Sequence, residues 1–356
     1  MSKPFRRGLV VGKFSPLHRG HELVIGRALD ACDEVVVISY VRPEFPGYSA
    51  AVRERWLAAR FPHATRLVLD GERLRALVPL GTGPTELPVD GGPEIVDRRF
   101  CGFLCQQLLG VTVDAVFTSE DYGDGFAAEL TRWFREHQGD APEVRHVLVD
   151  RDRVRLPISG TVLRADPHAH RAWLSPEVYA SFVRRICLLG GESTGKTTLA
   201  RALARELGTE WVPEYGREVW REKEGRLDFE DMEEIGRVQI ETEEAAMRAA
   251  NRWVICDTSP LTTLFYSGHL FGRASPGMER MAERAYDLTV LLAPEIDFEQ
   301  DGSRYGGDFR ERQHAWYLRE LGARRIPYLL VTGSLEDRVA RVRATLPDGR
   351  LPNAPE

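Results

Sequence analysis

A short apolar run, a loop containing glycine and a helical pattern follow one another twice along the chain. The first apolar run covers residues 8–11 and leads to a helical pattern at 20–32; the second covers 186–189 and leads to one at 198–207. Apolar runs that alternate with helical patterns are typical of βαβ units and parallel sheets. The pattern therefore predicts an α/β protein with two tandem parallel-sheet domains.

Further apolar runs predict the remaining strands. They lie at 34–40, 66–69, 114–118, 144–149, 211–213, 252–257, 287–294 and 326–332. Residues 71–93 hold four prolines and several glycines, which predicts a long surface loop. A helix is predicted from Arg171 to Arg185, leading straight into the second glycine-loop unit. We place the domain boundary near Val183, which gives domains 1–183 and 184–356.

The bulk composition narrows the class of protein. The chain has 356 residues, 43% hydrophobic and 29% charged, which is ordinary for a globular protein of two domains. A net charge of -6 without a concentrated Lys/Arg stripe argues against nucleic acid or an anionic membrane as partner. The N-terminal apolar run is too short for a signal peptide, and no run approaches a membrane span. We therefore expect a cytoplasmic protein without membrane insertion, whose five scattered cysteines are reduced.

The loop GKFSPLHRGH, residues 12–21, places two histidines three residues apart at the start of the first helix. Glycines let the backbone approach a ligand, and a helix N-terminus favours an anion. His18 and His21 could both donate to phosphate oxygens there, or they could be hydrogen-bonded loop residues. A zinc site would need further ligands, which the neighbouring sequence does not offer.

A second candidate for phosphate contact is LPISGTVLRADP, residues 156–167. Ser159 and Thr161 suit the start of a helix at Gly160, and Arg164 lies one turn further on. Hydroxyls, amides and a guanidinium could converge there on a polyphosphate. By itself, the segment is also compatible with an ordinary capped helix.

Together, the patterns G-x-F-x-P-x-H-x-G-H and I-S-G-T-x-x-R resemble the nucleotidyltransferase superfamily, which implies a Rossmann-like domain. Within it, the segments 48–57 (YSAAVRERWL) and 118–123 (TSEDYG) are similar to nicotinamide mononucleotide (NMN) adenylyltransferases of the NadR type. The resemblance implies transfer of the adenylyl group of ATP to the NMN phosphate. Many family members have arginine where this chain has Lys13. A lysine ammonium is a point charge and cannot donate two parallel hydrogen bonds as a guanidinium does.

The resemblance also implies roles for individual residues of the first domain. His18 and His21 would act at the α-phosphate, and Lys13 and Arg164 would hold the other ATP phosphates. Further ATP contacts are implied for Gly12, Phe14, Gly20, Ser159, Gly160 and Thr161, and contacts to the nicotinamide nucleotide for Arg53, Arg55 and Trp56.

The second loop, GGESTGKT at residues 190–197, matches G-x-x-x-x-G-K-[ST] between a predicted strand and a predicted helix. This pattern predicts a P-loop in which Lys196 reaches the β- and γ-phosphates and Thr197 binds magnesium. The motifs of a GTPase are not found, and the remaining length suits a small-molecule kinase. The other predicted ATP contacts of this loop are Gly190, Gly191, Glu192, Ser193, Thr194, Gly195 and Thr198.

Two acids, Glu214 and Asp257, directly follow predicted strands, where α/β proteins gather their site residues. Each could instead be a helix cap or a solvated acid. The segments 213–218 (PEYGRE), 257–263 (DTSPLTT) and 298–304 (FEQDGSR) resemble the ribosylnicotinamide kinase half of the same NadR family.

That resemblance implies phosphorylation of the ribose 5′-hydroxyl of nicotinamide riboside. Asp257 or Glu214 would be the base or the magnesium partner. Tyr215 and Arg217 would meet the riboside. Asp301, as a substrate contact, and Arg304, as an ATP contact, would belong to a lid.

The sequence thus predicts a bifunctional enzyme that makes NMN and then NAD from nicotinamide riboside, with ATP as co-substrate and Mg²⁺ as cofactor. One alternative is a kinase joined to an adenylyltransferase with another acceptor, such as a pantetheine phosphate or flavin mononucleotide. Another is a nucleotide-sensing regulator without turnover. Some family members begin with a DNA-binding helix-turn-helix, but the first predicted strand starts here at about Gly8, so we expect no repressor function. The sequence leaves open whether the chain forms a homo-oligomer, whether it prefers the amidated or the deaminated substrate, and whether NMN is channelled.

Overall fold

The computed structural model describes residues 3–79, 81–151, 154–298 and 305–347. The chain divides into two compact units, Met1–Val178 and Tyr179–Glu356. Each unit is built on a five-stranded sheet whose strands all run parallel. The predicted fold class, two tandem parallel-sheet α/β units, is confirmed.

The first sheet has the strand order β3-β2-β1-β4-β5. Its strands are β1 (Phe5–Val11), β2 (Cys32–Ser39), β3 (Thr65–Val68), β4 (Ala115–Thr118) and β5 (Arg145–Leu148). The helices of this part are α1 (Arg19–Ala31), α2 (Ala50–Arg60), α3 (Gly71–Leu77), α4 (Glu94–Phe103), α5 (Gly123–Gln138), α6 (Gly160–Ala165) and, at the division between the units, α7 (Pro176–Tyr179).

The order of the first sheet places the ligand crevice. The chain builds β2 and β3 on one side of β1 and then crosses to β4 on the other side. In open α/β sheets ligands bind at the carboxyl ends of the strands beside such a reversal. Leu9, Val36 and Val116 are buried on these central strands and fix the sheet against the helices. The loop after β1, which carries the two histidines, therefore opens onto the crevice.

The second sheet has the strand order β10-β9-β6-β8-β7. Its strands are β6 (Arg184–Gly190), β7 (Trp211–Val212), β8 (Trp253–Asp257), β9 (Leu288–Leu292) and β10 (Tyr328–Val331). The helices are α8 (Lys196–Leu207), α9 (Tyr215–Glu222), α10 (Phe229–Ala246), α11 (Pro260–Phe271), α12 (Pro276–Met281), α13 (Gly307–Ala323) and α14 (Leu335–Thr345).

Strand β6 lies at the centre of this sheet, between β8 and β9. Cys187, Leu188 and Leu189 are almost completely buried there. Central parallel strands are covered on both faces, which explains why this segment is a continuous apolar run. The glycine loop leaves the carboxyl end of β6 and continues directly into α8.

Two element predictions were wrong. Residues 171–185 do not form one helix: α7 covers four residues only, and Leu174 is extended. Pro176 lacks the N–H that a helix interior needs, so it can open a helix but not continue one. The predicted loop 71–93 contains α3, which Asp70 caps by accepting from the Arg73 N–H at 2.7 Å.

None of the helices in the described parts of the chain combines the length and the apolar character needed to cross a membrane.

Candidate active sites

The first unit contains a cavity of about 620 Å³ at the carboxyl edge of its sheet. The loop after β1, the end of β4 and the segment around α6 supply its walls. The cavity brings together ten of the predicted site residues: Gly12, Lys13, Phe14, His18, Gly20, His21, Ser159, Gly160, Thr161 and Arg164.

The two histidines stack on each other at the start of α1. His18 is buried, and its Nδ1 accepts from the Gly20 backbone N–H at 3.2 Å. The ring centroids of His18 and His21 are 3.7 Å apart, and Phe14 meets the His21 ring edge-on at 5.0 Å. Because Nδ1 of His18 accepts a hydrogen bond, the proton of its neutral ring is at Nε2, which is a donor. Among the described residues, no group of three or more His, Cys, Asp or Glu could hold a metal ion.

Two cations approach this cavity from distant parts of the sequence. The Lys13 Nζ lies 2.5 Å from Asp90 Oδ1. Arg164 donates to the carbonyl oxygen of Ser15 at 2.7 Å, across 149 residues, and to Thr161 Oγ1 at 3.1 Å. Its guanidinium also lies 3.9 Å from the centre of the Phe45 ring. The histidine loop and the α6 segment are therefore held directly against each other.

The predicted nucleotide contacts on α2 do not line this cavity. The geometry contradicts a ligand-binding role for Arg53, which is completely buried. Its guanidinium donates to Glu44 Oε1 at 2.7 Å, Ser39 Oγ at 2.7 Å and the Leu69 carbonyl at 3.2 Å, so it joins α2 to the sheet.

The two other α2 residues lie in different surroundings, and their contacts with the nucleotide stay predictions. Trp56 is buried and packs edge-on against Tyr48. Arg55 is exposed, away from the cavity lining. A helix that presents basic residues near a predicted site can thus use them entirely for packing and for its surface.

Sequence reasoning missed a polar wall of the same cavity. The Tyr40 hydroxyl donates to Asp97 Oδ1 at 2.9 Å, and burial raises the pKa of both groups. Tyr122 also lines the cavity, and burial raises its pKa to about 12. Tyr122 falls in the TSEDYG segment, which was a usable signal. Tyr40 and Asp97 belong to no motif.

The second unit contains a smaller cavity, of about 90 Å³. Residues of the loop after β6 and of α9, α10, α11 and α13 line it. Four predicted site residues reach it: Glu192, Lys196, Glu214 and Arg217.

The loop GGESTGKT has the local geometry of a phosphate-binding loop. Gly195 has φ +84°, a conformation that residues with a Cβ rarely adopt, and it directly precedes α8. The Lys196 ammonium donates to the carbonyl oxygens of Gly190 at 2.9 Å and Gly191 at 3.0 Å. Burial lowers the pKa of Lys196. The loop thus holds a desolvated cation, whose charge an anion would stabilise.

Thr197 and Asp257 meet beside this loop. The Thr197 hydroxyl donates to Asp257 Oδ2 at 2.5 Å. Asp257 is 1% exposed, and its Oδ1 has no hydrogen-bond partner among the described residues. Burial raises the pKa of Asp257, and the charge of Glu214 adds to this effect. A buried carboxylate beside a hydroxyl provides the oxygen ligands that Mg²⁺ prefers, so the residues fit this ion.

The second cavity is also lined by an ion pair and by aromatic side chains. Glu214 Oε2 lies 3.5 Å from Arg217 Nη2. Trp220, Tyr266 and Tyr305 contribute aromatic side chains to the lining. Sequence reasoning missed these three, and Gln239 and Gln313 as well, because they come from separate helices and from the segment before α13 and carry no local motif.

Other predicted residues of the second unit lie outside this cavity. The glycine loop itself contains Gly190, Gly191, Ser193, Thr194 and Gly195. Thr198 is exposed on α8. The Tyr215 side chain packs against Val219, Met232 and Ile235 and is not part of the cavity lining, so its contact with the riboside stays a prediction. Asp301 and Arg304 lie outside the described residues.

Known proteins resemble the chain in sequence. The family profile described as an AAA domain matches residues 185–338. Two curated relatives, from Salmonella typhimurium (strain LT2) and Escherichia coli (strain K12), are each described as a trifunctional NAD biosynthesis/regulator protein NadR. Each is 29% identical over 322 residues, which covers 86% of this chain and 73% of the relative.

Solved structures resemble it in fold. A crystal structure described as NadR protein in complex with NR matches with a TM-score of 0.67 at 19% identity, covering 99% of both chains. Another, described as NadR protein in complex with NAD and AMP-PNP, matches with a TM-score of 0.64 at 21% identity and covers 99% of this chain and 100% of that one.

Fold and sites together define the class of protein: two parallel-sheet α/β units, one with a nucleotidyltransferase-type histidine loop and one with a kinase-type P-loop. The motifs of both halves and the match to the curated relatives narrow this class further. The chain is similar to NadR proteins, at 29% identity over 86% of its length.

Proposed function

We propose that this chain makes NAD from nicotinamide riboside in two ATP-dependent steps. Residues 184–356 phosphorylate the riboside to NMN, and residues 1–183 transfer the adenylyl group of ATP to NMN, releasing pyrophosphate. One observation carries the proposal: the histidine loop and the α6 segment line one cavity, and Glu192 and Lys196 of the glycine loop line the other. The choice of substrates is supported by the NadR relatives, one a NAD biosynthesis/regulator protein and two solved in complex with NR or with NAD and AMP-PNP.

In the kinase step the riboside 5′-oxygen attacks the γ-phosphorus of ATP, and the bond to the bridging oxygen of ADP breaks. Glu214 lines the acceptor cavity, whereas Asp257 is engaged with Thr197 beside the loop. We therefore assign Glu214 as the group that takes the hydroxyl proton. Lys196 neutralises charge on the transferred phosphoryl group.

Asp257 and Thr197 would hold magnesium. The second carboxylate oxygen of Asp257 is buried without a hydrogen-bond partner among the described residues, which leaves it available as a ligand. The ion supplies charge neutralisation on the nucleotide phosphates when bound. Without it, the protein groups at this position are one hydroxyl, one carboxylate and the Lys196 ammonium.

The acceptor cavity suits a pyridinium nucleoside. Its wall holds the aromatic side chains of Trp220, Tyr266 and Tyr305. The nicotinamide ring of the riboside is planar and positively charged, and aromatic faces attract such cations. Gln239 and Gln313 add amide groups that can bond to hydroxyls or to the carboxamide.

In the adenylyl transfer an NMN phosphate oxygen attacks the α-phosphorus of ATP, and the bond to pyrophosphate breaks. The nucleophile is already an anion, so alignment and charge stabilisation replace a base. The Nε2–H of His18 donates to an α-phosphate oxygen, with the stacked His21 beside it. Lys13 and Arg164 offset the charge of the leaving pyrophosphate.

An acceptor panel tests the choice of NMN. The full chain is incubated with ATP and magnesium and with NMN, a pantetheine phosphate or flavin mononucleotide, and pyrophosphate release is followed. We expect release with NMN and formation of NAD. Release with another acceptor only would favour a different adenylyltransferase, and ATP or NAD binding with no release in any arm would favour a sensing role.

A further inference from the structure

Glu192, in the phosphate-binding loop, reaches across to the acceptor cavity. Its Oε1 accepts from the Tyr266 hydroxyl at 2.9 Å, and its Oε2 accepts from the Tyr305 backbone N–H at 2.8 Å. Its own backbone N–H donates to Gln313 Oε1 at 3.0 Å. One residue of the ATP-binding loop is thus joined to α11, to the segment before α13 and to α13 itself.

All three partners line the acceptor cavity together with Glu192. The Tyr305 ring packs on Phe309, with ring centroids 4.7 Å apart. Holding the carboxylate here is costly, because burial raises the pKa of Glu192. The Tyr305 N–H and the Tyr266 hydroxyl oppose that cost by hydrogen bonding to the charged form.

We propose that Glu192 is a positioning residue for the riboside, and that it connects the ATP-binding loop to the aromatic wall of the acceptor cavity. The inference rests on the proposed kinase function and assigns it a specificity element. The loop backbone faces the phosphates, whereas the Glu192 side chain sets the positions of Tyr266 and Tyr305. The ATP contact expected of this residue stays a prediction, because its side chain and its backbone N–H both bond to residues of the acceptor cavity.

The mechanism follows from the hydrogen-bond geometry. A carboxylate with one donor on each oxygen fixes a tyrosine hydroxyl and a backbone amide at the same time. Removing it takes away the hydrogen-bond acceptor that fixes the Tyr266 hydroxyl and the Tyr305 backbone N–H. Binding of the riboside then has to fix the positions of Tyr266 and Tyr305, which weakens its affinity. ATP binding is retained, because the Gly190–Thr197 backbone and Lys196 are unchanged.

The test measures KM for each substrate in the kinase reaction of the full chain. Hydrogen bonds to charged groups contribute about 1.5–3 kcal/mol, so Glu192→Ala should raise the KM for nicotinamide riboside roughly 10- to 100-fold. The KM for ATP should change less than about twofold, since the loop backbone is retained. Tyr266→Phe should reproduce part of the effect, and adding it to Glu192→Ala should raise the riboside KM by less than the product of the single effects. Glu192→Gln retains one carbonyl acceptor and should be intermediate.

Glu222→Ala is the matched control, because Glu222 is exposed on α9 and does not line the cavity. A Glu192→Ala variant with unchanged riboside KM, or with both KM values raised equally, would overturn the inference. Riboside binding is also measured by calorimetry in the presence of AMP-PNP. If the wild type binds the riboside without making NMN, the proposed function fails. The role of Glu192 is then decided by comparing the riboside Kd of Glu192→Ala with that of the wild type. If the wild type does not bind the riboside, both fail.

Discussion

Asp257 is the residue at which stability and function conflict most clearly. It is almost completely buried, and one of its oxygens has no hydrogen-bond partner among the described residues. Burial raises its pKa, so its ionised form costs folding free energy at neutral pH. The stabilisation from the protonated form is complete below the unfolded-state pKa and is lost as pH rises through the raised folded-state pKa. A charge kept at such a cost points to a functional demand.

Asp257→Asn should therefore separate the two properties. We expect NMN formation to fall by at least about 100-fold, because the magnesium ligand is lost. The melting temperature at neutral pH should stay equal or rise, since the amide carries no buried charge. Calorimetry beside a kinase assay checks both, with the exposed Asp297→Asn as control. A large fall in melting temperature would show that the carboxylate is structural instead.

The same raised pKa predicts the acid limb of the kinase reaction. Protonated Asp257 cannot accept from Thr197 as a carboxylate and cannot ligate a cation. The value of kcat/KM for ATP should thus fall, as pH decreases, through an apparent pKa above the ordinary value for aspartic acid. The pH dependence of kcat/KM tests this, because it reports the pKa values of groups in the free enzyme. An acid limb at the ordinary aspartate value would contradict it.

Lys13 presents a smaller conflict in the first unit. Its ammonium pairs with Asp90 at 2.5 Å, and both side chains are partly exposed. Such pairs are worth about 0.2–1 kcal/mol, and ATP has to compete with this one. Asp90→Asn should lower the KM for ATP in adenylyl transfer by up to about fivefold. Initial rates of NAD formation from NMN check this, with exposed Asp33→Asn as control; a higher KM would mean that Asp90 assists binding.

Local sequence revealed part of each site and missed the rest for a physical reason. His18, Arg164 and Lys196 were predicted from motifs, because backbone loops that hold phosphates need fixed residue types at fixed spacing, and all three line a cavity. Arg53 was misread, since an arginine on a helix looks the same in sequence whether it binds a ligand or pairs with Glu44 inside the protein. Tyr266 was missed because only tertiary packing brings it to Glu192.

At the scale of elements, helix α14 contacts the glycine loop through the side chain of Arg338. Arg338 is nearly buried and donates to the Thr194 carbonyl at 2.8 Å and to the Gly333 carbonyl at 2.9 Å. The loop conformation is thus held by a helix that follows it by 144 residues. Nothing in the local sequence of either segment indicates this contact.

Arg338→Met should loosen the loop while keeping the side-chain volume. Leaving two carbonyl acceptors unpaired costs about 2–6 kcal/mol, so the second unit should melt at a lower temperature and its KM for ATP should rise. Adenylyl transfer by the first unit should be unchanged. Calorimetry and both assays test this, with exposed Arg341→Met on the same helix as control. An equal loss of both activities would contradict the assignment to one unit.

The prediction of helices and strands succeeded where burial determines the apolar pattern of an element. It failed where a single residue interrupts the element. The run 252–257 was predicted as a strand and forms β8 at Trp253–Asp257, because a strand covered on both faces must be apolar throughout. Residues 171–185 looked helical by periodicity, yet Pro176 divides them. Periodicity shows only that one face of a helix could be buried. It does not show that a proline removes a backbone N–H that the helix needs.

At the scale of the whole molecule, both units place a cavity-lining loop at the same position in the fold. In each, a loop at the carboxyl end of a central strand leads into a helix and lines a cavity. The substrates proposed for the two cavities share NMN, as product of one and acceptor of the other. Both reactions consume ATP, so a single incubation can report on both units.

The most direct measurement supplies the full chain with nicotinamide riboside, ATP and magnesium and follows NMN and NAD by chromatography. The wild type should convert the riboside to NAD through NMN. Lys196→Ala should form no NMN from the riboside but still convert added NMN to NAD, and His18→Ala should accumulate NMN. Contradiction would come from a wild type that forms neither product, or from a Lys196→Ala variant that makes NAD from the riboside at the wild-type rate.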